Sequence, residues 1–244
     1  MNPEFLRNVW LELSVTRVLG AALVLGLIAG GVFLIGEATG GDAAEFYSNV
    51  LVAITVVCLF FWGPRNAAAS VIGEIRERTW DFQRMSALAP FSMTLGKLFG
   101  ATSFVWIVAL FAIALAFPAQ VYEADVSTAL ASSAVLVAAG VIGQAVAMMS
   151  ALAAARRRQT DAKLGLLPHQ LLGFGAASVF VWAWNAVQAG QLVVQDFMPG
   201  RPSLSFSDQA WWGLGFDPTT LFLLSSAAFG GWAIAACWRQ MRLE

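Results

Sequence analysis

Few side chains in this 244-residue sequence are of a type and placement to do chemistry. The only histidine, His169, opens a long apolar stretch with no carboxylate or thiol near it in sequence. An acid–base or metal role therefore lacks a second member, and a place in helix contacts or at an interface suits it better. Cys58 and Cys237 lie in separate apolar runs without CxxC spacing, which predicts neither a disulfide framework nor a metal site. Gln144, Asn185 and Gln188 are the main polar groups inside apolar stretches. They could line a path, although hydrogen bonding between helices is the commoner use of such amides. Phe60, Phe61 and Trp62, with Phe180, Trp182 and Trp184, could form an aromatic constriction, or could fill a core and anchor helices at a membrane boundary. No catalytic constellation emerges, so the chain is not expected to be an enzyme, and no bound metal or cofactor is expected.

The elements that would carry these residues are set by composition. Hydrophobic residues make up 59% of the chain and charged ones 12%, far from the balance of a soluble domain. A net charge of -1 excludes a nucleic-acid footprint. Six stretches free of Asp, Glu, Lys and Arg are long enough to cross a bilayer: Val18–Gly36, Phe46–Pro64, Leu98–Tyr122, Val126–Ala155, Leu164–Gln195 and Pro218–Trp238. The first exceeds the roughly 7–15 apolar residues of a signal-peptide core and reads as a retained helix. Together they predict an all-α integral membrane protein, one domain over residues 1–244, with lipid as its surroundings.

Charge placement orients the helices. All basic residues except Arg201 fall at one end of these spans, including Arg156, Arg157, Arg158 and Lys163 between the fourth and fifth. The opposite end carries Glu37, Asp42, Glu45, Glu123, Asp125, Asp196, Asp208 and Asp217. An excess of Lys and Arg marks the cytoplasmic side, so both termini are expected there. Ahead of the first span, Phe5, Leu6, Val9, Trp10 and Leu13 recur at helical spacing opposite Glu4, Arg7, Asn8 and Glu12, which predicts an amphipathic helix in the cytoplasmic interface. The external segment from Asp196 to Asp217, with Trp211 and Trp212, suits a short helix or re-entrant turn.

The largest polar insertion runs between the second and third spans. Glu74, Arg76, Glu77, Arg78, Asp81 and Arg84 give it mixed charge, and Ile75, Trp80, Phe82, Met85 and Leu88 give it apolar anchors at near-helical spacing, a surface suited to docking another protein. Pro90 is expected to end this helix and Ser92 to cap the next.

In this insertion the chain resembles the permeases of ABC-2 type exporters. Glu74, Glu77, Thr79, Leu88, Pro90, Gly96 and Lys97 follow the order of that family's acidic stretch, threonine, coupling helix, proline and Gly-Lys. Arg78 stands where the family commonly has glycine. The resemblance implies the transmembrane subunit of an ATP-binding cassette exporter, multi-pass in a bacterial inner membrane. It implies a separate ATPase that holds ATP and magnesium, since this chain has no GxxxxGK[ST] phosphate loop. It further implies a second permease, identical or homologous. Glu74, Arg76, Glu77, Arg78, Thr79, Trp80, Asp81, Phe82 and Arg84 would couple to the ATPase, and Phe60, Phe61, Trp182, Asn185 and Gln188 would line the pathway. The alternative is a membrane anchor or assembly subunit that docks a cytoplasmic partner and transports nothing.

Overall fold

The computed structural model describes residues 2–40, 42–77, 79, 89–157, 165–197 and 218–243. Among them every regular element is helical: α1 (Pro3–Glu12), α2 (Val15–Thr39), α3 (Ala43–Val56), α4 (Gly63–Arg76), α5 (Pro90–Leu95), α6 (Ser103–Glu123), α7 (Val126–Arg157), α8 (Leu167–Phe197) and α9 (Pro218–Leu243). Two π-helical turns interrupt them, Val57–Trp62 and Gly96–Gly100. Six helices among the described residues are long and apolar enough to span a bilayer, the second of them being the rod Ala43–Arg76.

The chain starts and stops these helices with local chemistry. Ser14 accepts from the Arg17 N–H to open α2, and Gly40, with φ of 67°, closes it in the left-handed region that favours glycine. Asp42 caps α3 through the Ala44 and Glu45 amides. Asp125 caps α7 through the Thr128 amide and the Ser127 hydroxyl, which hold its carboxyl below the usual carboxylate range.

The second rod is longer than its apolar stretch predicts. The charge-free stretch stops at Pro64, before Arg65, yet the rod continues to Arg76. The π turn at Val57–Trp62 accommodates the proline. It widens the backbone so that the Gly63 N–H bonds the Cys58 carbonyl, five residues back, and Pro64, which has no N–H to give, falls in the first turn of α4. The rod changes partner at this turn: α3 lies on α6, and α4 lies on α7. Helix α7 is the central member, in contact with α4, α8 and α9, whereas α2 leans mainly on α3 and α6 among the described residues and leaves most of its surface outward.

Small residues set the spacing at the centre. A Cβ on Gly143 would come within 2.7 Å of the Gly173 carbonyl, and one on Gly173 within 2.5 Å of the Gly143 carbonyl and 2.7 Å of Pro64 Cβ. Helices α7 and α8 therefore meet backbone to backbone beside Pro64 of α4, the contact that apolar helices use where lipid supplies no hydrophobic drive. Above this crossing Ala67, Ala68, Val71 and Ile72 of α4 interlock with Ala147, Met148, Ala151 and Leu152 of α7 and Cys237 of α9.

Candidate functional site

The site is built where α1, the end of α4 and the second π turn meet. Asn2 begins α1 by accepting from the amides of Glu4 and Phe5, while its own Nδ2 donates to the Ser92 carbonyl at 2.6 Å. The N-terminal helix is thus tied to α5 at its first residue. Pro3 follows at the first helical position, where a missing N–H costs nothing.

Glu4 and Asn8, four apart, lie on one face of α1. Gly96 and Gly100, also four apart, lie opposite. A Cβ on Gly96 would stand 2.8 Å from Glu4 Cβ, and one on Gly100 would stand 2.8 Å from Asn8 Cβ. The two glycines form a trough into which that face of α1 descends, and Asn8 Nδ2 donates to the Gly96 carbonyl at 3.2 Å.

The expected orientation of α1 is corrected by this contact. Its acid and amide were expected to face solvent with Arg7 and Glu12, but Glu4 is 4% exposed and Asn8 9%. Trp10 and Leu11 are instead left outward. The reason is the partner: Lys97, 1% exposed between the two glycines, requires carboxylates, and Glu4 is within reach.

Four charges close a ring. Arg7 Nη2 donates to Glu4 Oε1 at 3.1 Å and to Glu74 Oε1 at 3.2 Å. Lys97 Nζ donates to Glu74 Oε2 and lies 3.7 Å from Glu4 Oε1. Two acids alternate with two bases, so the cluster is neutral as a whole. Each ion buried alone would cost several kcal/mol, about the scale of the penalty for an unpaired interior charge. Burial pushes Lys97 below the ordinary lysine range, and the Glu74 and Glu4 carboxylates oppose that shift. Such an alternation of four charges among the described residues is suited to hold three elements in one arrangement.

The ring lies at both roots of the polar insertion. Glu74 ends α4 and Lys97 opens the approach to α6, 23 positions later. Thr79 adds a second tie, its N–H and its hydroxyl both donating to the Glu74 carbonyl, at 2.9 and 3.3 Å. Of the proposed coupling residues, Glu74 and Thr79 belong to this joint, and Arg76 and Glu77 follow Glu74 on the exposed side. Arg78, Trp80, Asp81, Phe82 and Arg84 lie outside the described residues, as do Leu88 and the segment 198–217 with Trp211 and Trp212. One detail of the insertion, the Ser92 cap, is corrected. Pro90 occupies the first position of α5, whose N-cap is Ala89, and Ser92 is inside that helix with its carbonyl bound to Asn2. Proline at a first helical turn is favourable, so it starts this helix.

The residues expected to line a pathway differ in exposure. Phe60 is 1% exposed, in a core with Leu59, Val105 and Ala109. Phe61 and Trp182 face outward, Trp182 at 74% exposure, together with Asn185, while Gln188 is half-buried. Phe61 meets Phe174 of α8 edge to face at 6.4 Å. Gln144 is fully buried and accepts from Trp106 Nε1 at 3.0 Å, an interhelical bond of the kind expected for such an amide. His169 is buried 3.0 Å from Ser150 Oγ of α7.

Sequence reasoning overlooked Glu4 as a partner of Lys97, and Arg7 and Asn8 as partners of Glu4. A signal was available: the four-residue spacing of Glu4 and Asn8 matches that of Gly96 and Gly100, and Lys97 is the one base between Arg84 and Arg156. Compared with known protein families, curated proteins and solved structures, the chain matches none.

Proposed function

We propose that the chain is the membrane-spanning permease subunit of an ATP-driven exporter, in which a separate ATPase moves the insertion between the second and third spans. The observation that carries this reading is the charged joint. A segment that transmits force must be attached rigidly to the helices it moves, and Glu74 and Lys97 fasten both of its roots to each other and to α1. Thirteen of the fourteen basic residues cluster at this end of the spans, which favours a cytoplasmic location for it. Outward Trp10 and Leu11 suit α1 to the headgroup region. Phe61, Trp182 and Asn185, exposed on the second and fifth spans, would face a second permease copy across the transport path.

The test replaces Trp80 and Phe82 with alanine in the full chain and follows an ATP-hydrolysing partner isolated with it from its native membrane. Each ring is expected to supply about 1–3 kcal/mol of docking energy, so the double variant should lose most of the partner and its stimulated hydrolysis. Undiminished co-purification together with undiminished stimulation would remove the insertion from a coupling role. Retained hydrolysis with no movement of any substrate would favour the anchoring alternative.

A further inference from the structure

We infer that the outward face of α9, near its C-terminal end, is a groove for an anionic phospholipid. The inference depends on the six apolar helices being in a bilayer and is independent of the exporter reading. Helix α9 turns Ser226, Gly230, Ala233, Cys237 and Met241 inward. Away from that stripe, Trp232, Ala235, Ala236, Trp238, Arg239 and Arg242 line a groove of about 590 Å³, within the span of about 300–1,000 Å³ usual for ligand sites.

The groove is ordered from apolar to cationic along the helix. Two tryptophans flank the alanine pair in sequence, so the groove combines small methyl side chains with aromatic ones. Arg239 is seven residues beyond Trp232, about 10 Å along the axis at the helical rise. That order matches an acyl chain followed by a phosphate. Arg242 lies over the Trp238 ring at 6.0 Å and lines the same groove as Arg239, and a guanidinium is suited to a bidentate contact with phosphate oxygens. Helix α9 contains no Asp or Glu, and among the described residues no carboxylate pairs with either arginine. The face is therefore complementary to a negative headgroup. Tryptophan at the membrane boundary beside a basic pocket is a recognised setting for such lipids. A free phosphate would use the arginines but leave the Trp232 and alanine end of the groove empty, so the lipid is the better occupant.

The test is native mass spectrometry of the delipidated full chain with phosphatidylglycerol or phosphatidylcholine added. The wild type should retain phosphatidylglycerol about tenfold better, the ratio that 1.4 kcal/mol of differential binding produces. Arg239→Gln with Arg242→Gln should abolish the preference. Trp232→Ala should weaken retention of both lipids and keep their ratio. Arg65→Gln, an exposed arginine on α4, should change neither. Equal retention of the two lipids by the wild type would overturn the inference, as would displacement of phosphatidylglycerol by millimolar inorganic phosphate. A loss of preference in Arg65→Gln equal to that in the arginine pair would also overturn it, by showing diffuse attraction to a basic surface. Thermal melting of each variant in the same detergent separates these outcomes from misfolding.

Discussion

The charged joint and the glycine crossing hold helices together in opposite ways. At the crossing, Gly143 and Gly173 bring two helix backbones together against the rigid ring of Pro64, with no long side chain between them. At the joint, long side chains from Glu4, Arg7, Glu74 and Lys97 span the gap between three elements. The crossing depends on fit alone, and fit changes little with conditions. The joint depends on its charges being matched, because Glu4 and Lys97 are buried only beside counter-ions. A rigid centre and a conditional foot are what a helical body needs if force is to enter at one end without disturbing the middle.

The sharpest way to break the comparison is Lys97→Met. It leaves Glu4 and Glu74 facing each other with Arg7 alone, and removing one partner of a buried pair costs about 3–5 kcal/mol. Hydrogen exchange should show α1 released while the α7–α8 contact stays protected. Adding Glu74→Gln restores charge balance and should recover most of the loss. If the double variant is no better than Lys97→Met, the ring is not acting as a charge unit.

Gly173→Ala should come next. The added Cβ meets backbone on α7 and Pro64 on α4, neither of which can rotate away, and overpacking of this kind costs about 1–3 kcal/mol. Gly175→Ala, two residues on in the same helix with nothing within 4 Å of its Cβ position, is the control and should be neutral. Thermal melting in detergent distinguishes them. Equal effects would mean that glycine acts through helix propensity and not through the crossing.

Gln144→Leu should do less. It removes the bond from Trp106, and interhelical hydrogen bonds in membranes average about 0.6 kcal/mol. A loss as large as that of Lys97→Met would show that neutral polar contacts in the spans rival the joint.

The smallest effect is predicted for pH at Asp125. Its carboxyl is held below the usual range by the α7 cap, so the cap is fully present above the ordinary carboxylate pKa and is lost as pH falls through the lowered one. Hydrogen exchange at Thr128 should quicken on that acid side and stay level in Asp125→Asn, which cannot titrate.

The spans were legible because each is a long apolar run, and a helix buries its own backbone polar groups without needing a neighbour. Their ends were less legible. The apolar run stops at Pro64, before Arg65, whereas the rod passes through the π turn and continues to Arg76. The mixed charge and apolar anchors of the insertion were readable from its composition, but the joint at its roots was not. Glu4 and Asn8 look like a solvated helix face until the trough at Gly96 and Gly100 is placed beneath them.

The sequence by itself determined six apolar helices, the end at which their basic residues collect, and the local caps at Ser14, Asp42 and Asp125. These depend on neighbours within a few positions along the chain. Tertiary structure alone decided which face of α1 is buried, that Phe60 turns inward while Phe61 turns outward, and that Lys97 completes a ring with residues 93 and 23 positions away. The physical reason is that desolvating a charge is favourable only where counter-charges converge in three dimensions, and linear spacing does not encode that convergence.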